Sequence, residues 1–149
     1  MRLLFLLAAL LAGCAGAPPQ APAPPPAPLE GVAPPAAPAA AANPAVERLM
    51  ASARADEAAS RLGSAEATLE RALRIAPRDA RLWQELARIR LQQGEYQQAE
   101  SLAARSNTWA GADDALRAEN WSLIAQARDA RGDSDGARAA LDNAERYRR

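Results

Sequence analysis

The stretch WQELARIRLQQGEYQQA at residues 83–99 decides the fold, because it returns 38 residues later as WSLIAQARDARGDSDGA at residues 121–137. The tryptophan that opens each copy, an aliphatic residue three places later and a central glycine recur at the same relative positions. A fainter copy lies 34 residues upstream and retains the positions Leu49, Ala53, Ala65, Leu69, Ala72 and Pro77. Repetition at such a period is typical of stacked helical units.

Apolar residues beyond residue 44 recur with the spacing of amphipathic helices. This spacing predicts six helices, near residues 45–60, 63–76, 80–93, 95–106, 114–131 and 135–147. Asp79 is a suitable N-cap for the third helix, and Gly94 and Gly132 are suited to the turns within the second and third units. No run of β-branched or aromatic residues alternates with period two, so we expect an all-α fold.

These motifs resemble the tetratricopeptide repeat (TPR), whose pattern is W-x2-L-G-x2-Y, then A-x3-F, then P, with a period of about 34 residues. The middle unit supplies Trp83, Leu86, Ala87, Gly94, Tyr96 and Ala99, and the last unit supplies Trp121, Ile124, Ala125, Gly132, Ala137 and Leu141. The resemblance covers residues 46–146 and implies three stacked helical hairpins, because a single hairpin cannot bury its apolar face.

Alanine lets the two helices of a repeat approach closely, and larger apolar residues fill the space around the contact. We expect close approach at Ala53, Ala65, Ala87, Ala99, Ala125 and Ala137, and filling by Leu49, Leu69, Trp83, Leu86, Trp121 and Ile124. Leu141 and Ala144 are expected in the core of the last unit. No capping helix is predicted after that unit, so its outer side is a candidate surface for a homodimer.

The sequence departs from the repeat pattern in three places. Arg90 and Arg128 stand where the pattern has tyrosine, and Ala103 stands where it has a large aromatic residue. Four extra residues separate the second and third units, and we place them around residues 107–111. Trp109 in this segment is either a plug over the helix ends or an exposed recognition residue.

The resemblance also implies a binding surface, because the first helices of TPR units line a concave face that receives a peptide from another protein. The candidate groove residues are Arg54, Arg81, Gln84, Arg88, Ser122 and Gln126. Guanidinium groups bind carboxylates in a forked geometry, which favours an acidic peptide. Three acidic residues expected near the same face would weaken its positive field: Glu47, Glu57 and Asp129. The alternative is that these arginines are ordinary solvated side chains.

The chain starts with one positive residue, Arg2, an apolar run at residues 3–11 and the string Leu11-Ala12-Gly13-Cys14. The run is too short to span a bilayer and predicts a signal peptide over residues 1–13. The string resembles the lipobox of bacterial lipoproteins, which implies cleavage before Cys14 and a lipid such as palmitate on that residue. The alternative is an ordinary signal peptide with a chance cysteine.

Residues 15–44 contain eleven of the twelve prolines, and Glu30 is their only charged residue. Proline removes backbone donors and the segment has little bulky apolar surface, so residues 14–44 are predicted to be a disordered tether that carries the lipid at its start. Fully extended at about 3.1 Å per residue, the tether would reach roughly 90 Å. Inert low-complexity sequence and a ligand for a proline-binding domain are the alternatives. The repeat domain is then expected over residues 45–149.

The amino-acid composition argues against metal binding and catalysis by this chain. It contains no histidine and a single cysteine, so we expect no metal site, no cofactor and no catalytic residue. Its 18 basic residues, all arginines, balance 18 acidic residues, which gives no indication of a nucleic-acid partner. The carboxylate pairs Asp113-Asp114 and Asp133 with Asp135 lie at expected helix starts, where capping explains them.

A lipid anchor, a long tether and a small TPR tip resemble the outer-membrane lipoproteins that reach through peptidoglycan to activate a bifunctional penicillin-binding protein. Ala15 after the cysteine resembles outer-membrane sorting. The resemblance implies a non-enzymatic adaptor that is anchored in the outer membrane, faces the periplasm and binds another protein. The alternative is a pilotin-like or assembly-factor lipoprotein of an outer-membrane secretion or pilus complex.

Overall fold

In the computed structural model, which describes residues 43–149, six α-helices follow one another without a strand. Their bounds are α1 Pro44–Ala58, α2 Leu62–Ile75, α3 Ala80–Gln92, α4 Tyr96–Trp109, α5 Asp114–Ala130 and α6 Ser134–Arg146. The predicted all-α fold and all six helices are therefore confirmed. The predicted signal peptide, Cys14 and the tether up to residue 42 lie outside the described residues. No helix in the described part of the chain has both the length and the apolar character needed to cross a membrane.

The helices form three hairpins that stack in chain order. α1 packs on α2, α3 on α4 and α5 on α6, while α2–α3 and α4–α5 contacts join successive hairpins. The turn within each hairpin has one residue in the left-handed region: Ser60 (φ 58°), Gly94 (φ 81°) and Gly132 (φ 82°). The three positions correspond in the repeat, so the same turn geometry recurs. Only the first hairpin uses a residue with a side chain there, at a cost of about 1 kcal/mol relative to glycine.

Short polar side chains begin four of the six helices. The side chain of Asn43 accepts from the backbone N–H of Ala45, and Asp79 accepts from that of Arg81, each at 3.0 Å. Asp113 and Asp133 cap α5 and α6 by accepting from backbone N–H groups three residues further on. The predicted N-cap at Asp79 is confirmed, and capping accounts for both carboxylate pairs.

Helix α1 begins at Pro44, one residue earlier than expected. Proline is tolerated in the first helical turn, because its fixed φ suits the helix and its missing N–H would have no partner there. The last proline of the predicted tether therefore belongs to the repeat domain.

Alanine occupies the tightest helix–helix contacts. All six residues expected at close approach are buried: Ala53, Ala65, Ala87, Ala99, Ala125 and Ala137. Of the larger residues expected around them, Leu69, Leu86 and Ile124 are buried, and Leu49, Trp83 and Trp121 are partly buried. The predicted packing of small against large residues is confirmed.

Leu141 is the exception to the predicted core. It is 49% exposed, whereas its repeat equivalent Ala103 is fully buried. Ala103 packs in a cluster with residues of α5, including Ile124 and Ala125. No helix among residues 43–149 packs on the corresponding side of α6, so Leu141 stays in contact with solvent. Ala144 is fully buried as expected. A homodimer through this exposed side of α6 stays a prediction.

The four extra residues lie in a helix and not in a loop. The connections 76–79 and 110–113 have equal lengths, and α2 and α4 both have 14 residues. α5 has 17 residues where α3 has 13, so the insertion adds about one turn at the start of α5. The placement of the insertion around residues 107–111 was therefore wrong. Four residues make slightly more than one helical turn of about 3.6 residues, so the insertion leaves the faces of the helix nearly in register.

Arg90 and Arg128 replace the motif's tyrosine with an ionic contact between hairpins. Arg90 lies 2.5 Å from Glu66 of α2, and Arg128 lies 2.7 Å from Glu100 of α4. Glu66 and Glu100 correspond in the repeat, so the same pair forms twice. Each joins the first helix of one hairpin to the second helix of the hairpin before it. These side chains are 18–29% exposed, so solvent only partly screens the attraction.

A buried polar network adds a second link between the middle and last hairpins. The Ser106 hydroxyl donates to the carbonyl of Ala80 at 2.8 Å, and the Asn120 amide donates to Ser106 Oγ at 2.8 Å. The same amide donates to Asn107 Oδ1 at 2.9 Å. Ser106 and Asn120 are fully buried. The network fixes the start of α3 and the middle of α5 to the end of α4.

We expect that restoring bulk at Ala103 destabilises the domain, although the TPR pattern has an aromatic residue there. Ala103 is fully buried against α5, so Ala103→Leu overpacks the contact and lowers the free energy of unfolding by about 1–3 kcal/mol. Urea denaturation followed by circular dichroism measures this change. Ala104→Leu, at an exposed neighbouring position, is the matched control and should have little effect. Equal stability of the two variants would contradict the close packing described here.

Candidate functional site

A groove of about 350 Å³ lies where α3 and α5 meet. Four of the six residues predicted for the binding surface line it: Gln84, Arg88, Ser122 and Gln126. The remaining lining residues are Glu119, Leu123 and Arg148. The groove therefore has a mainly polar wall, formed by the first helices of the second and third hairpins together with one residue after α6.

Arg54 reaches the groove's α3 wall through a shared carboxylate. Glu85 is 4% exposed, and its two oxygens lie 2.6 Å from Arg54 Nη2 and 2.9 Å from Arg88 Nη1. The arginine side chains are 57% and 38% exposed, so both keep donors that face solvent. One buried glutamate therefore holds two of the predicted groove arginines, Arg54 and Arg88, near each other.

The α5 wall is held by hydrogen bonds to its neighbours. Gln84 of α3 donates to Glu119 of α5 at 3.0 Å. Ser122 Oγ donates to the Ala118 carbonyl and accepts from Arg148 Nη2, each at 3.0 Å. Arg148 follows α6, so the end of the described chain returns to α5 and supplies a second guanidinium group to the groove.

Arg81 lies outside this arrangement. It is exposed in the first turn of α3 and is not among the groove-lining residues. Gln126 lines the groove and is exposed. The structure thus brings four predicted residues together, links Arg54 to them through Glu85, and leaves Arg81 apart.

Three charged residues of the site were not predicted. Glu85 lies three residues before Arg88 on the same helix, so its i,i+3 spacing was a usable signal. Glu119 and Arg148 carried no such signal, because their positions depend on how α5 and the end of the chain meet α3. The three acidic residues that were expected near the concave face are not among the groove-lining residues: Glu47, Glu57 and Asp129. Glu57 instead accepts from Gln92 at 2.5 Å.

The charges of the groove favour a polar, acidic ligand. Arg88 and Arg148 outnumber Glu119 among the lining residues, and the exposed amide of Gln126 offers donors and an acceptor to a peptide backbone. Leu123 provides a small apolar contact. No group of three or more potential metal-ligating side chains occurs within the part of the chain that the structure describes. The arrangement can bind and orient an extended segment.

A second depression of about 480 Å³ lies among α2, α3 and α4. Leu86 and Leu102 contribute apolar surface to it, and Arg90, already paired with Glu66, forms part of its wall. None of the predicted groove residues lines this depression.

We expect removal of the arginines to cost more stability than removal of the glutamate they share. The double variant Arg54→Ala, Arg88→Ala leaves the Glu85 carboxylate buried without a partner, which should lower the free energy of unfolding by about 2 kcal/mol. Glu85→Gln leaves two partly exposed arginines that water can solvate, so about 1 kcal/mol or less is expected. Denaturation by urea, which is uncharged, gives the free energy of unfolding of each variant. A larger loss of stability in Glu85→Gln than in the double variant would contradict the described charge arrangement.

A family model described as the tetratricopeptide repeat matches residues 56–118. No curated protein matches the chain. Among solved structures, the globular C-terminal domain of P. aeruginosa LpoP is similar, with 43% sequence identity and a TM-score of 0.68. The similarity covers 69% of this chain and 97% of that domain. The chain therefore belongs to the family of tetratricopeptide-repeat proteins that includes P. aeruginosa LpoP.

Proposed function

We propose that the protein is a periplasmic adaptor, anchored in the outer membrane by a lipid on Cys14, that binds and activates a penicillin-binding protein. In this proposal the TPR domain does no chemistry itself. It binds a segment of the peptidoglycan synthase, its client, and thereby favours the client's active conformation, because a ligand shifts an equilibrium only through its preference for one state.

The similarity to the LpoP domain is the observation that carries this proposal. It extends over nearly the whole of that domain at 43% identity, so it includes the helices that build the groove. The matched domain is a globular C-terminal domain, and here too the TPR domain follows the predicted tether. The order of anchor, tether and TPR tip resembles that of lipoproteins that activate peptidoglycan synthases, which supports the same function.

The groove suggests how the client binds. An extended acidic segment could place carboxylates on the outward-facing donors of Arg88 and Arg148, with Arg54 beyond them. Gln126 could pair with the backbone of such a segment, since its exposed amide both donates and accepts. Because Glu85 already holds Arg54 and Arg88 in place, their ordering would cost less on binding.

The tether sets where the domain can act. With Cys14 in the outer membrane, a segment of some thirty residues would let the domain explore a distance of up to roughly 90 Å. A client anchored in the inner membrane would need this reach. A pilotin-like factor, whose client lies in the same membrane, would not.

We expect the groove arginines to be required for client binding. The double variant Arg88→Ala, Arg148→Ala removes both charged donors of the groove and should weaken binding to the purified penicillin-binding protein at least tenfold, since a hydrogen bond to a charged group contributes about 1.5–3 kcal/mol. Arg138→Ala, Arg146→Ala on α6 removes the same charge from exposed positions and is the control. Biolayer interferometry gives both dissociation constants. Unchanged affinity of the groove variant would argue against this binding face.

We expect tether length to matter in cells and not in solution. Deleting residues 18–38 should abolish activation of peptidoglycan synthesis in cells, because the domain then stays close to the outer membrane. The same deletion should leave the purified protein's affinity for the client within about twofold. Incorporation of a fluorescent D-amino acid reports synthesis in cells, and a scrambled tether of equal length and composition is the control. Full activity after the deletion would contradict the requirement for the tether's reach.

A further inference from the structure

We infer that the edge of the stack at the C-terminal ends of α2 and α4 is a second docking surface, which binds an acidic and partly apolar segment of the client outside the groove. We call this surface the arginine–aromatic edge, and define it by Arg71, Arg74, Ile75, Arg78, Arg105 and Trp109. The inference rests on the proposed function, since it concerns the same client. The edge contains none of the residues that line the groove.

Exposed apolar side chains recur at equivalent repeat positions on this side of the stack. Ile75 is 47% exposed, Trp109 40% and Tyr147 36%. Trp109 follows Ile75 by 34 residues, and Tyr147 follows Trp109 by 38, so the three occupy the same position in successive hairpins. Single exposed apolar residues are common on protein surfaces. Recurrence at the end of every second helix shows instead that this side of the stack presents apolar surface once per hairpin.

Contacts between side chains join the α4 part of the edge to the α2–α3 connection. The Arg78 guanidinium lies over the Trp109 ring, with its central carbon 5.3 Å from the ring centre. Arg105, one turn before Trp109, lies 4.7 Å above the ring of Trp83. Trp83 in turn donates from its indole nitrogen to the Pro77 carbonyl at 2.9 Å. Trp109 is thus neither a buried plug nor a free ring, but a half-exposed ring with a cation on it.

The arginines of the edge have no carboxylate partner among the described residues, unlike the arginines that join the hairpins. None of the four forms an ion pair within residues 43–149: Arg71, Arg74, Arg78 and Arg105. Each groove or inter-hairpin arginine discussed above other than Arg148 does, among them Arg54, Arg90 and Arg128. The six residues that define the edge carry four positive charges and no negative charge.

The chemistry of the edge fits carboxylates that flank an apolar side chain. A guanidinium stacked on an indole keeps its N–H groups free for in-plane hydrogen bonds, and stacking reduces the freedom it would lose on binding. Ile75 and the uncovered part of Trp109 then offer apolar contact between the charges. An acidic protein segment with one or two large apolar residues meets both requirements.

The distribution of acids at the same end of the stack argues against a lipid surface. The first helices begin there with Asp79, Asp113 and Asp114, and the last two are exposed. A flat anionic membrane would meet these carboxylates together with the arginines. A narrow segment that follows the ends of α2 and α4 would not.

The test compares charge reversal at the edge with the same reversal elsewhere. The full chain in detergent is titrated with the purified penicillin-binding protein, as wild type and as three double variants. These are Arg74→Glu, Arg78→Glu at the edge, Arg138→Glu, Arg146→Glu on α6, and Arg88→Ala, Arg148→Ala in the groove. We expect the edge variant to bind at least tenfold more weakly than wild type and the α6 variant to stay within about twofold. Far-ultraviolet circular dichroism checks the folding of every variant. If the edge double variant fails to fold, the single variant Arg78→Gln takes its place.

The outcomes separate this inference from the proposed function. Wild-type affinity in the edge variant, with loss in the groove variant, overturns the inference and leaves the proposed function standing. Absence of binding by the wild type overturns both. Vesicles of phosphatidylglycerol and phosphatidylethanolamine serve as a second probe. If the edge variant loses vesicle binding but keeps client binding, the edge binds a membrane and not the client. That result overturns the inference. Weaker client binding by both the edge variant and Trp109→Ala supports it.

Discussion

The structure depends on how closely the two helices of each hairpin can approach. Alanine at the crossing points is buried completely or nearly so, from Ala53 and Ala65 in the first hairpin to Ala125 and Ala137 in the last. A larger side chain at any of them would separate the helices or force neighbouring side chains out of their preferred rotamers. Because buried alanine recurs at equivalent positions of each hairpin, the next hairpin can stack on it in a fixed register. The groove and the edge are both consequences of that register.

Polar contacts then fix the angle between hairpins, where the sequence departs from the usual repeat. The pairs Arg90–Glu66 and Arg128–Glu100 join each hairpin to the one before it. The hydrogen bond from Asn120 to Ser106 acts between the last two hairpins, and the hydrogen bond from Ser106 to Ala80 joins α4 to α3 within the middle hairpin. Buried polar groups of this kind contribute little net stability when they are satisfied, but are costly when misaligned. Their contribution is therefore to the specificity of the stacking angle, which determines how α3 and α5 line the groove.

Much of the fold could be predicted from the sequence, because its information is local and repeated. Helix positions follow from apolar spacing, the turns from Gly94 and Gly132, and the close contacts from alanine at equivalent positions. The location of the four-residue insertion could not be predicted, since a turn added to α5 and a longer loop produce the same offset between motifs. Leu141 was assigned to the core by its motif position, but burial at that position depends on a following helix.

The site was less predictable than the fold, for a physical reason. The motif register identifies which residues face the groove, and four of the six candidates line it. The register does not say which acids come to face those arginines across helices. Glu119 reaches Gln84 only because α5 packs on α3, and Arg148 reaches Ser122 only because the segment after α6 returns to α5. Ion pairs and hydrogen bonds between distant segments depend on tertiary packing. The local patterns of a single sequence do not specify that packing.

In the proposed function, the stacked hairpins present the α3–α5 groove to the client protein. Photo-crosslinking in living cells measures this directly, with a benzophenone amino acid in place of Gln126 in the groove or of Asp142 on the exposed side of α6. We expect a crosslink to a penicillin-binding protein from position 126 and none from position 142. A crosslink to that protein from position 142 alone would contradict it.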